Sequence, residues 1–182
     1  MKRITMLIAL SLVCRAASAD LSDIPNYLEY TETFSSAGQP NQDQLQDAWV
    51  DGFERVIYLA FSDHGTSLEH EDRIAKELGM EYVNIPVNWG SPTASDFSLF
   101  ASVMQSNSKK KTLVHCQANF RASAFSLLYR VIYEDVPVAV AKKDMNSVWI
   151  PNDVWTRLIL EVLAQHGISS ECEDCDWTPQ QH

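Results

Sequence analysis

A cysteine and an arginine stand five positions apart in this chain, at Cys116 and Arg121. The apolar run 112–115 before the cysteine is typical of a buried strand, and the apolar segment 122–133 is typical of a helix. A helix N-terminus offers unpaired N–H groups and the positive end of a dipole, which bind an anion and stabilise a thiolate. Because a guanidinium grips an oxyanion with two parallel hydrogen bonds, this spacing predicts a nucleophilic thiolate beneath a tetrahedral anion.

The loop between these two residues is predicted to form the anion cradle with its backbone amides. Its members are Gln117, Ala118, Asn119 and Phe120. Asn119 suits this loop because asparagine tolerates the left-handed backbone that a tight cradle needs. His115 is placed to steady the loop or the thiolate, and Ser123 to donate to Cys116 or to a leaving group. The alternative interpretation is a buried structural cysteine with an arginine that extends to the surface.

The elements that must position these residues alternate between strand and helix. Strands buried on both faces are predicted at 56–61, which is continuously apolar, and at 82–87 and 112–115. A further short strand is predicted at 31–35. Helices are predicted at 42–50, 68–78, 96–105, 122–133, 136–143 and 152–165. This order predicts a single α/β domain with a parallel or mostly parallel central sheet and helices on both faces.

Ligands of such sheets bind beyond the carboxyl ends of the strands. The loops 62–66, 88–95 and 116–121 are therefore the predicted ligand side. Asn88 and Trp89 lie in the second of these loops, where Trp89 is predicted to form a wall of the pocket.

The chain has 182 residues and a formal net charge of −10. This length fits one globular domain, and the acidic surface argues against binding to nucleic acid or to an anionic membrane.

Residues 1–19 are predicted to be a secretory signal peptide, since a basic start and the apolar run 4–13 precede Ala17-Ser18-Ala19. A lipoprotein signal at Cys14 and an uncleaved anchor are the alternatives. We therefore expect an exported protein, periplasmic or secreted, with a single domain at 20–167 and an acidic tail at 168–182.

The tail carries Cys172 and Cys175, which are predicted to form a local disulfide rather than free thiols. Zinc usually needs four ligands and no second cysteine pair is present, so no metal site is expected there. No metal or organic cofactor is expected elsewhere in the chain.

The run Val114-His115-Cys116 followed by Arg121-Ala122-Ser123 resembles the signature of the cysteine-dependent protein-tyrosine-phosphatase superfamily. More closely, the chain resembles the phosphatase-like domain family of beta-lactamase hydrolase-like proteins. The supporting motifs cover roughly residues 28–166 and lie at 36–40, 52–53, 56–59, Glu71, 79–82, 85–87, 92–93 and Asp96. The resemblance implies a phosphatase-like fold, Cys116 as nucleophile, a cradle from 117–121, Arg121 as phosphate clamp, and a small phosphate ester or phosphoprotein as substrate.

Two departures from this family pattern leave alternatives open. Phosphatases of the superfamily place five residues between cysteine and arginine, whereas four are present here. The shorter loop resembles that of rhodanese-type sulfurtransferases, which would use a Cys116 persulfide. The general acid is the second departure, because Asn88 stands where such phosphatases carry an aspartate. Asp96, and Asp63 beside His64, are the candidate acids, and a non-catalytic anion-binding module is a further alternative.

Overall fold

The central sheet of this computed structural model, which describes residues 20–172 and 175–179, has five strands. They are β1 (Leu28–Thr31), β2 (Phe34–Ala37), β3 (Arg55–Tyr58), β4 (Glu81–Asn84) and β5 (Thr112–His115). The spatial order is β1-β2-β5-β3-β4, with β1 antiparallel to β2 and all other pairs parallel. The predicted mostly parallel α/β domain is therefore confirmed. The predicted signal peptide, residues 1–19, lies outside the described residues.

Six α-helices flank this sheet in the described part of the chain. They are α1 (Gln42–Val50), α2 (Glu71–Glu77), α3 (Ala94–Ser106), α4 (Phe120–Tyr133), α5 (Val138–Val148) and α6 (Asp153–Gln165). None of the helices in residues 20–172 and 175–179 is long and apolar enough to cross a membrane.

The core consists of two apolar clusters, because successive side chains of a strand point to opposite faces of a sheet. Val56 and Leu113 pack into one cluster with residues of α1 and α2. Their neighbours Ile57 and Val114 pack into the larger cluster with residues of α3, α4, α5 and α6. Strands β3 and β5 are thus buried on both faces, which explains the apolar pairs Val56-Ile57 and Leu113-Val114 at their centres.

Some element boundaries differ from the sequence-based expectation. The predicted strand 31–35 is a hairpin of β1 and β2 with its turn at 32–33. Helix α2 begins at Glu71 rather than at 68, because His70 adopts a left-handed backbone (φ 58°) that a helix cannot continue through. The predicted helix 136–143 begins after Pro137 and runs on to Val148.

The C-terminal segment is tied to the domain by a few contacts. The predicted disulfide between Cys172 and Cys175 is present. Trp177 donates its indole N–H to the Ser170 carbonyl at 2.9 Å, and the Lys142 ammonium lies 5.0 Å from the centre of its ring. This segment therefore packs on α5.

The register of the sheet puts the end of β5 at the centre of that edge. His115 pairs with Ala37 of β2 on one side and with Tyr58 of β3 on the other. The chain leaves the sheet at Cys116, between the segments that follow β2 and β3. The fold thus places the predicted nucleophile where parallel sheets bind ligands.

Candidate active site

Cys116 is the first residue of the loop between β5 and α4. Its backbone N–H donates to the Ala37 carbonyl at 3.3 Å, and the residue is 0% exposed. It is the free cysteine of the described residues. The Cys116 side chain is therefore shielded from bulk water and belongs to the larger apolar cluster.

Asn119 gives the loop its sharp curvature. It has a left-handed backbone (φ 66°, ψ 2°) and precedes the first residue of α4, as its sequence position predicted. The first N–H groups of a helix have no acceptor within the helix. The turn at Asn119 therefore places the N-terminus of α4, which carries the positive end of the helix dipole, four residues after Cys116.

Arg121 is turned into the protein, with 8% of its surface exposed. Its Nε donates to the Val87 carbonyl at 3.0 Å, and Nη1 donates to the Gln117 Oε1 at 3.2 Å. The centre of the guanidinium lies 5.2 Å from the ring of Trp89. These two hydrogen bonds use two of the five guanidinium N–H groups, so the others remain for an oxyanion in a preset orientation.

An aromatic wall consisting of Trp89, Phe120, Trp149 and Trp155 stands beside Arg121. Phe120 stacks on Trp149 with ring centres 4.8 Å apart, and Trp89 lies 5.3 Å from Trp149. The indole N–H of Trp155 donates to the Trp89 carbonyl at 3.0 Å, which holds the 88–95 loop against the core. The predicted position of Trp89 on the ligand side agrees with this arrangement.

Ser123 has different partners from those expected. Its hydroxyl donates to the Phe120 carbonyl at 3.2 Å and accepts the indole N–H of Trp149 at 3.2 Å. The single hydroxyl proton is therefore engaged within the first turn of α4, rather than donated to Cys116. In this structure Ser123 fixes the aromatic wall to the helix that carries Arg121.

A buried histidine and glutamate lie next to Cys116 at the end of β5. His115 Nε2 is 3.0 Å from Glu71 Oε1, although the N–H direction is not that of a well-formed hydrogen bond. Both side chains are buried, with exposures of 0% and 3%. The His115 ring stacks on Tyr58 at 4.7 Å between ring centres. His115 thus packs between Tyr58 and Glu71 at the end of β5, and its role in steadying the loop or the thiolate stays a prediction.

Two neighbouring side chains donate hydrogen bonds to the Glu71 carboxylate. Gln39 Nε2 donates to it at 3.2 Å, and the Tyr82 hydroxyl donates at 3.5 Å. Burial, and then the Glu71 charge, raise the pKa of Tyr82 far above its usual range, so this phenol stays protonated and can donate. Burial also raises the pKa of Tyr58. Sequence reasoning included Glu71 only within a family motif, since nothing local distinguishes it from the exposed Glu69 beside it.

The candidate general acids and Asn88 differ in their contacts and in their exposure. Asp96 Oδ2 accepts from the Thr93 N–H at 2.9 Å and from its hydroxyl at 2.8 Å, which forms a capping box at the start of α3. Asn88 is exposed, and its Oδ1 accepts from the Gly90 N–H at 2.9 Å. Asp63 is exposed on the loop after β3. Among the described residues, no ion pair joins Asp63 or Asp96 to Arg121.

Removing the Asp96 side chain tests whether it caps a helix or donates a proton. Because the carboxylate satisfies the Thr93 N–H, we expect Asp96→Ala to lower the free energy of unfolding by about 1 kcal/mol. We expect Asp96→Asn, which keeps an acceptor oxygen, to retain most of that stability and unchanged turnover of an aryl phosphate. A fall in turnover of about 10²-fold or more in Asp96→Asn would instead assign Asp96 as the general acid.

Gly38 lets the segment after β2 approach the loop closely. Gly38 bridges to Ala118, and the next N–H, of Gln39, donates to the Gln117 carbonyl at 3.1 Å. A Cβ at Gly38 would lie 2.9 Å from the Pro25 carbonyl oxygen and 3.1 Å from that of Gln117. Both are backbone oxygens, so neither can move away unless the segment at Pro25 or the loop at Gln117 is displaced.

We therefore expect Gly38→Ala to reduce the free energy of unfolding by about 1–3 kcal/mol and to weaken phosphate binding. Gly65→Ala is the matched control, since a Cβ there meets no atom within 4 Å. Thermal or urea unfolding of both variants measures the difference. Equal free energies of unfolding for the two variants would show that Gly38 and the loop are not in tight contact.

Comparisons with known proteins agree with this geometry. Residues 13–150 match the family described as PTP-NADK: DSP-PTPase phosphatase fused to NAD+ kinase. A candidate phosphatase (DUF442) from Shewanella putrefaciens CN-32 is 31% identical, with a TM-score of 0.74, covering 80% of this chain and 96% of that chain. No functionally curated protein matches the chain at a significant level.

More distant solved structures share the fold. PTPMT1, solved in complex with PI(5)P, has a TM-score of 0.66 at 13% identity, covering 78% of this chain and 96% of that chain. TpbA of P. aeruginosa has a TM-score of 0.64 at 13% identity, covering 80% and 90%. At these identities the similarity shows the fold alone. Together with the family match, it confirms the predicted cysteine-dependent phosphatase-like superfamily.

Proposed function

Since the chain belongs to the DSP-PTPase phosphatase family that residues 13–150 match, we propose that it is a phosphatase that hydrolyses phosphomonoesters through a Cys116 thiophosphate. The observation that carries this proposal is the inward Arg121, fixed by Val87 and Gln117 beside the helix start that Asn119 creates. That arrangement fits a tetrahedral dianion held between a guanidinium and backbone N–H groups.

The reaction then proceeds in two displacements at phosphorus. The Cys116 thiolate attacks and an S–P bond forms while the bond from phosphorus to the ester oxygen breaks; a phenol leaves as its phenolate, and an alkyl alcohol leaves with a proton taken from water. Water next attacks the phosphorus, the S–P bond breaks, and inorganic phosphate leaves as the thiolate is restored. Arg121 and the amides of 117–121 stabilise the charge on the equatorial oxygens in both steps.

The absence of a carboxylic acid at position 88 affects which esters react well. An amide at Asn88 cannot protonate a leaving oxygen, and a general acid is typically worth 10²–10⁴-fold in rate. We therefore expect aryl phosphates, whose phenolates leave without protonation, to be hydrolysed much faster than alkyl phosphates. The aromatic wall beside Arg121 also offers an apolar surface to an aryl group.

A paired assay tests the proposal. Purified protein is incubated separately with p-nitrophenyl phosphate and with thiosulfate plus cyanide, under reducing conditions. Release of inorganic phosphate without thiocyanate is the expected result. Formation of thiocyanate without phosphate would show that the protein is a sulfurtransferase and not a phosphatase. If neither product forms, the domain would be a non-catalytic anion-binding module.

A further inference from the structure

Asn26 and Asn119 make a reciprocal contact across 93 positions of sequence. Asn26 Nδ2 donates to the Ala118 carbonyl at 3.0 Å, and Asn119 Nδ2 donates to the Asn26 carbonyl at 2.6 Å. Both residues have left-handed backbones, with φ of 53° and 66°. Resting on the proposed function, we propose that Asn26 is a positioning residue that holds the 116–121 loop in its anion-binding curvature.

The first bond controls the direction of a carbonyl dipole. An anion cradle needs N–H groups facing the anion and carbonyl oxygens facing away, because a carbonyl oxygen repels a phosphate. The Asn26 amide holds the Ala118 oxygen toward the N-terminal segment. Without this donor, the peptide that joins Ala118 to Asn119 loses the bond that fixes its orientation.

The second bond supports the backbone of Asn119. A left-handed residue other than glycine is sparsely populated and persists only where its surroundings hold it. Asn119 is fully buried, and its side-chain N–H₂ is held by the Asn26 carbonyl rather than by a cap on its own helix. The curvature that starts α4 therefore depends on a residue far away in sequence.

The segment that presents Asn26 is itself anchored. Ile24 is 1% exposed in the core, and the Pro25 carbonyl accepts the Gly38 N–H at 2.6 Å. Gly38 in turn bridges to Ala118. Asn26 thus reaches the loop from a fixed support, which a positioning residue needs. Its own side chain is exposed and takes no part in the core.

Two substitutions separate positioning from stability. Asn26→Gly keeps the left-handed backbone and the carbonyl acceptor but removes the donor to Ala118. Asn26→Asp replaces that donor with a charged oxygen facing another oxygen. We expect kcat/KM for p-nitrophenyl phosphate to fall about threefold in Asn26→Gly and about tenfold or more in Asn26→Asp. Asn107→Asp controls for net charge, since Asn107 is exposed and lies beside Arg55 at the start of β3, the opposite strand end from the loop.

Direct binding of tungstate, measured by calorimetry in salt that screens surface charge, gives the decisive readout. The proposal predicts that tungstate affinity falls by the same factors as kcat/KM, while unfolding curves change little. Unchanged affinity in both Asn26 variants, with or without loss of stability, would overturn it. If the wild type binds tungstate without turnover, the proposed function fails while the positioning role is still tested by binding.

Discussion

Cys116→Ser is expected to reduce hydrolysis of p-nitrophenyl phosphate by on the order of 10⁴-fold or more, because removing a catalytic nucleophile costs about this much in other enzymes. A serine hydroxyl is nearly the same size as a thiol but is not ionised at neutral pH, so the covalent step loses its nucleophile. The anion site itself stays intact, since its donors are Arg121 and the loop amides. Tungstate affinity should therefore change by less than about threefold.

The matched control is the double variant Cys172→Ser with Cys175→Ser, which removes the tail disulfide but leaves the loop untouched. We expect it to keep full turnover. Steady-state kinetics and calorimetry on the three proteins measure both quantities. Turnover by Cys116→Ser close to that of the wild type would show that the sulfur is a buried structural group and that hydrolysis, if present, uses another nucleophile.

Arg121→Lys is expected to reduce kcat/KM by about 10²–10³-fold, the usual cost of losing a preset donor to a developing oxyanion. The guanidinium reaches the Val87 carbonyl and Gln117 side chain while other N–H groups remain for the anion. A lysine ammonium is a single point with three donors and cannot keep this geometry. Unlike Cys116→Ser, this variant should also lose tungstate binding.

Arg130→Lys provides the control within the same helix. Arg130 is also buried on α4, but it pairs with Asp144 at 2.8 Å and lies over Tyr30, away from the loop. We expect this variant to lose stability without losing tungstate affinity. If both lysine variants bound tungstate equally well, Arg121 would be a structural residue and the cradle would have no clamp.

Local sequence patterns predicted the centre of the site well. A buried strand, a short loop and a helix start can each be recognised within about ten residues, so the positions of Cys116, Asn119 and Arg121 followed from periodicity and residue type. The match to a phosphatase family then supported a phosphatase-type function.

The supports of the site could not be predicted in this way. Asn26 contacts the loop across 92 positions, and Glu71 meets His115 only because the sheet brings α2 beside the end of β5. No local pattern shows which exposed-looking polar residue will lie against a distant loop. Asp96 shows the opposite case, since Thr93 three positions earlier forms a capping-box pattern that is visible in the sequence.

The most direct test is to trap the covalent intermediate on the wild-type protein. Rapid denaturation at mildly alkaline pH, where an S–P bond is stable, during turnover of p-nitrophenyl phosphate, followed by peptide mass spectrometry kept out of acid, locates any phosphoryl group. We expect one phosphoryl group on the peptide that contains Cys116, absent from Cys116→Ser. Sustained phosphate release with no phosphoryl group on that cysteine, or with the group on another side chain, would contradict the covalent mechanism.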